Sequence, residues 1–128
     1  MKFLIASDIH GSATWCRRLV DALDREQPDR LLLLGDVLYH GPRNDLPEGY
    51  APKEVIAMLN PLAASIIAVR GNCEAEVDQM VLDFPCMADY TTIFDPTAAL
   101  TADGGAREKP GCELFLTHGH VYGAGFHN

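Results

Sequence analysis

Three short apolar runs, KFLIAS, RLLLL and SIIAV, each stop abruptly at a polar turn that contains glycine. Unbroken apolar runs of this length predict strands buried on both faces, here Lys2 to Ser7, the LLLL run and Ser65 to Val69. Between them the spacing changes. Trp15, Leu19, Val20 and Leu23 recur at helical intervals, after a Ser12 suited to cap a helix that fades near Gln27 and Pro28. Pro52 fits the first turn of a second helix carrying Val55, Ile56, Met58 and Leu59. A shorter helix is expected from Glu74 to Val81. Trp15 and the Leu/Val stripes are assigned to the core.

Strands alternating with helices predict an α/β fold with a parallel sheet covered on both sides. The segment HGPRNDLPEGYAP reads as a long loop, of a length that is often functional. Past residue 81 the alternation weakens. A strand is expected from Tyr90 to Phe94, a Gly/Ala/Asp-rich surface excursion from Pro96 to Gly111, and a last strand from Glu113 to Thr117. No repeat or second domain is visible, so residues 1–128 are expected to form one domain.

The polar residues concentrate where the strands end. Asp8-Ile9-His10, Gly35-Asp36, Gly71-Asn72 and His118-Gly119-His120 each follow a predicted strand. The carboxyl ends of adjacent strands in open α/β sheets bring distant positions together, and sites form there. Asp and Asn oxygens mixed with imidazole nitrogens suit divalent manganese, iron, zinc or similar ions. Any one of these short signals is common by chance; four of them, each at a strand end, point to a metal site.

Composition narrows the partners. Eighteen acidic against ten basic residues give a net charge of −8, which disfavours non-specific nucleic-acid binding. It leaves room for a small phosphate ester bound through a metal. No apolar run reaches the ~20 residues of a membrane span. Asp8 and His10 fall too early for a secretion signal. Cys16, Cys73, Cys86 and Cys112 form no C-x-x-C pair, so a structural zinc site is not expected, and reduced thiols of a cytoplasmic protein are. Cys16, Cys86 and Cys112 read as small buried residues.

The strings ASDIHGS, LLGDVLYHGPRNDLPEGYAP, VIAMLN, IAVRGNCEAEVDQM and LFLTHGHVYG resemble the calcineurin-like metallophosphoesterases, within them the small YfcE-like phosphodiesterases. The resemblance implies an α-β-β-α sandwich and hydrolysis of small phosphate diesters by a metal-bound hydroxide at a dinuclear centre. It implies that Asp8 and His10 ligate one ion, Asn72 and His118 the other, and that Asp36 bridges them. Manganese is the first choice, with iron, zinc, nickel or magnesium as alternatives. His120 is expected nearer the substrate than the metals. Cys73 stands where many relatives carry a histidine that assists the leaving group or the phosphate. Arg43 and Arg70 either grip phosphate oxygens or stand solvated or ion-paired. His40 either lines the pocket or is a hydrogen-bonded loop residue.

The family pattern continues with a G-H-x-H motif that does not follow THGH here; His127 lacks the preceding glycine and partner histidine and is not promoted. The chain is therefore expected to be a C-terminally truncated member with an incomplete second sheet, weakened metal affinity and exposed edges open to self-association. The alternative reading is a catalytically impaired, protein-binding scaffold of the same fold.

Overall fold

A computed structural model of the chain describes residues 1–99, 104–106, 108 and 110–123. Much of the predicted excursion at 96–111 is among them; His127 lies outside the described residues.

The elements follow the apolar pattern closely: β1 (Phe3–Ala6), α1 (Ala13–Glu26), β2 (Arg30–Leu33), α2 (Pro52–Leu59), β3 (Ile66–Ala68), α3 (Glu76–Val81), β4 (Tyr90–Asp95) and β5 (Cys112–Thr117). A 3-10 turn, Asn60–Ser65, extends α2 toward β3. Strands β1, β2 and β3 form a parallel sheet in that spatial order, with Ile5 opposite Leu32 and Leu32 opposite Ile67. Strands β4 and β5 pair antiparallel as a second sheet, Thr91 opposite Leu116.

Alternation along β2 explains the layering. Successive strand side chains point to opposite faces. Leu31 and Leu33 join Cys16, Val55, Leu59 and Ile66 in the cluster beneath the helices. Leu32 faces the other way and packs with Val69 and Leu116, flanked by Ile93 and Leu114 of the second sheet. At β2 one face of the parallel sheet is thus covered by helices and the other by β4–β5, which is why β2 is apolar throughout; β1, at the edge of the sheet, departs from the expected two-sided burial, with Ile5 57% exposed.

Helix α1 begins where the sequence places it: the Ser12 hydroxyl accepts the Trp15 N–H at 3.2 Å. Trp15 itself corrects the expectation. It is 52% exposed, because the inward stripe runs through Cys16, Leu19 and Leu23, one residue on, and leaves the indole outside. There it carries the Arg18 guanidinium 4.4 Å from its ring centroid, a cation–π contact. Cys112 is half-buried rather than fully buried, and all four cysteines are free thiols.

Candidate metal centre

The strand-end loops fix the site before any side chain is considered. Asp8 N–H donates to Gly35 O at 3.0 Å, His10 N–H to Asp36 O at 2.8 Å and Gly11 N–H to Val37 O at 2.8 Å, zipping the loop after β1 to the loop after β2. Asp8, His10 and Asp36 all have positive φ, 60°, 50° and 56°. Left-handed backbone is unfavourable for residues with a side chain and gathers where function holds it in place. Among the described non-glycine residues the one other case is Gln27, which closes α1. At Gly71 the backbone passes so close to Asp36 that a Cβ would overlap its Oδ1.

The five expected ligands come together as a row. His10 Nε2 lies 3.1 Å from Asp8 Oδ1 and 3.6 Å from Asp36 Oδ2. His118 Nε2 lies 3.4 Å from the same Asp36 Oδ2 and 3.1 Å from Asn72 Oδ1. Asp36 is therefore central, buried at 2% exposure, with its Oδ1 accepting the Cys73 N–H at 2.8 Å. Two overlapping sets of donor atoms lie within 4.8 Å of one another, Asp8–Asp36–His118 and His10–Asp36–Cys73. Both contain Asp36.

The ring orientations give a chemical test of the donor set. His10 Nδ1 is 2.8 Å from Tyr39 O, and His118 Nδ1 is 2.6 Å from Leu34 O. A carbonyl can only accept, so each Nδ1 carries the proton and a neutral ring turns the Nε2 lone pair inward. Inside, those lone pairs face carboxylate and amide oxygens that are themselves acceptors. Acceptors face acceptors across the centre of the row, and only protonated rings or a cation between them reconciles the arrangement. Nδ1–H bonded to a backbone carbonyl is also how metal-ligating histidines are commonly oriented. The residues fit divalent cations.

Glu74 is the functional residue that the spacing argument missed. Its carboxylate accepts the Asp36 and Val37 N–H groups, both at 2.9 Å, and the Gly71 N–H at 2.5 Å. One side chain thus ties the loop after β2 to the loop after β3 and fixes Asp36 relative to Asn72. The sequence signal was an acid three residues after Gly71, the offset at which a side chain reaches back to its own loop.

The remaining expectations separate. The Cys73 thiol sits beside His10 and Asp36, and burial, then the Asp36 carboxylate, push its pKa up to about 11, leaving it a neutral thiol at neutral pH. His120 is exposed, its ring 5.4 Å from that of His118 in an edge-on arrangement. Arg70 takes its ion-paired alternative, its Nε donating to Asp89. Arg43 stands exposed in the loop after β2. His40 lies edge-on to both Tyr39 and Tyr50, and its buried Nδ1 has no hydrogen-bond partner among the described residues, so the hydrogen-bonded reading of its ring does not hold at that atom.

The chain is 47% identical over 123 residues to phosphodiesterase YfcE of Escherichia coli strain K12, and equally to that of strain O157:H7. These matches cover 96% of the chain and 59% of each relative, so the chain spans about three fifths of their length. The solved structure of Yfce, a phosphoesterase from E. coli, superposes with a TM-score of 0.81 at 46% identity, covering 97% of this chain and 60% of that one. The calcineurin-like phosphoesterase family pattern matches residues 1–127, and the chain belongs to the calcineurin-like phosphoesterase family.

Proposed function

We propose that the chain carries the metal-holding part of a phosphodiesterase acting on small phosphate diesters in the cytoplasm. The observation that carries this reading is the row Asp8–His10–Asp36–His118–Asn72, in which acceptor atoms converge on acceptor atoms. Two divalent ions, manganese first, would be held by those five residues, with Asp36 shared. Bound there, such ions supply Lewis acidity, acidifying an attacking water and neutralising charge on the phosphoryl oxygens.

The chain's own residues do the rest. Tyr39 O and Leu34 O keep His10 and His118 in the tautomer that offers Nε2. The Cys73 N–H orients Asp36 through Oδ1 and leaves Oδ2 toward the two rings. Arg43, exposed in the HGPRN loop, is the cation available to grip non-bridging oxygens in bidentate fashion, since Arg70 is engaged with Asp89. His120 gives a proton from its imidazole to the departing ester oxygen, a role that the neutral Cys73 thiol performs poorly because sulfur hydrogen-bonds weakly.

A second reading, a protein-binding scaffold, is favoured by the outer face of β4–β5. There Tyr90, Phe94 and Phe115 are 50%, 61% and 53% exposed. Hydrolysis of bis(p-nitrophenyl) phosphate with added manganese, beside an Asp36→Asn control, separates the two. Turnover that disappears in the control supports the phosphodiesterase. No turnover from folded protein puts the scaffold ahead.

A further inference from the structure

A cavity of about 460 Å³ opens beside the metal centre, between α2 and α3. Pro52 and Ile56 line it from α2, Val77 and Val81 from α3, and Leu38 from the loop after β2. Its link to the chemistry is Cys73, which lines the cavity while its Sγ lies within 4.8 Å of donor atoms on His10 and Asp36. Tyr39 makes a second link, lining the cavity while its carbonyl holds His10 Nδ1 at 2.8 Å.

The lining has a definite chemical character. It is almost wholly aliphatic and aromatic, and the one carboxylate among its described residues, on buried Asp78, accepts the Ala75 N–H at 2.9 Å. Among the described residues no arginine or lysine lines it, so none of them compensates a second phosphate, and Asp78 adds a charge of the wrong sign. A sugar-phosphate chain gains nothing from such walls. An apolar ring does, and the volume is ample for one, within the few hundred cubic ångströms usual for small-molecule sites. Val77, 60% exposed, leaves the cavity open to an incoming ligand.

Building on the phosphodiesterase reading, we infer that this cavity is the seat of an apolar, aromatic ester arm of the substrate. The substrate class is then a small diester with one aryl or similar hydrophobic alcohol, and selectivity resides in α2 and α3 rather than in the metal ligands.

The test compares phenylphosphonate with methylphosphonate, which share the anion and differ in the apolar arm, by calorimetry on the manganese-supplemented chain. Burying one ring in an apolar site predicts about tenfold tighter binding of the phenyl compound. The exposed change Val77→Asn should bring the two ligands within about twofold, leave methylphosphonate unchanged and leave melting temperature near that of the parent, while Ile56→Asn from the opposite wall, where the side chain also packs against the core, should remove the same preference with some loss of melting temperature. Equal affinities in the unmodified chain, failure of phenylphosphonate to bind, or a phenyl preference that survives both variants overturns the inference. If hydrolysis of bis(p-nitrophenyl) phosphate still depends on Asp36 in that event, the phosphodiesterase reading stands and only the arm assignment falls. Loss of both removes the two together.

Discussion

The two sheets are built from opposite materials. The parallel sheet centres on β2, whose Leu31, Leu32 and Leu33 are each at most 1% exposed. The β4–β5 ribbon buries one face through Ile93, Leu114 and Leu116 and turns Tyr90, Phe94 and Phe115 outward. Yet the site needs both layers. Asp8, His10, Asp36 and Asn72 come from the ends of the parallel strands, while His118 follows β5 and is tied back through its Nδ1 to Leu34 O. The parallel sheet supplies the rigid frame, and the ribbon supplies one candidate ligand through a docking contact. On the proposed reading, metal binding therefore reports on whether the two layers are seated together.

The largest expected effect sharpens this contrast. Leu32→Ala, between the layers, should cost about 2–5 kcal/mol in urea unfolding. Phe115→Ala, on the outer face of the ribbon, should cost about 1 kcal/mol or less. Equal losses would mean that the ribbon is as fully packed as the frame.

Next comes the join between the loops. Glu74→Gln keeps the size but weakens the acceptor that three backbone N–H groups share, so manganese affinity should fall by about 10–100-fold while the fold is retained. Calorimetric titration with manganese checks it, and unchanged affinity would remove Glu74 from the positioning of Asp36.

How much of this was legible beforehand differs between the regions for a physical reason. The frame announced itself because a strand buried on both faces, as β2 is, must be continuously apolar, and because Ser12 and Pro52 mark helix starts by local chemistry; the apolar run of β1 gave the strand but not its burial, since Ile5 is exposed at the sheet edge. The candidate ligands were readable as residue types at strand ends. What escaped was set by neighbours distant in sequence. The backbone carbonyls that fix the imidazoles carry no sequence signature. Arg70 chose Asp89 over the phosphate side through a contact nineteen residues away. Trp15 was misplaced because a large apolar residue adjoining a helical stripe cannot be told from a member of it by spacing alone.

The smallest effect concerns the frame by itself. Burial raises Cys16 and Cys86 to about 11, with Glu74 and Asp78 adding to the shift at Cys86 and Arg17 opposing it at Cys16. A thiol whose folded pKa lies above its unfolded value contributes stability that is complete below the unfolded pKa near 9. That stability is lost as pH rises from there toward 11. Unfolding free energy should drop by about 1 kcal/mol per thiol by pH 10, and Cys16→Ala should remove its share of the slope. A flat profile between pH 8 and 10 would contradict it.

The central claim is that residues from both layers hold divalent cations around Asp36. Manganese titration of the unmodified chain and of His118→Ala, followed by calorimetry, tests it most directly. Saturable binding that weakens by more than about tenfold when the ribbon's imidazole is removed is the predicted result. Absence of binding, or an affinity indifferent to His118, would contradict it.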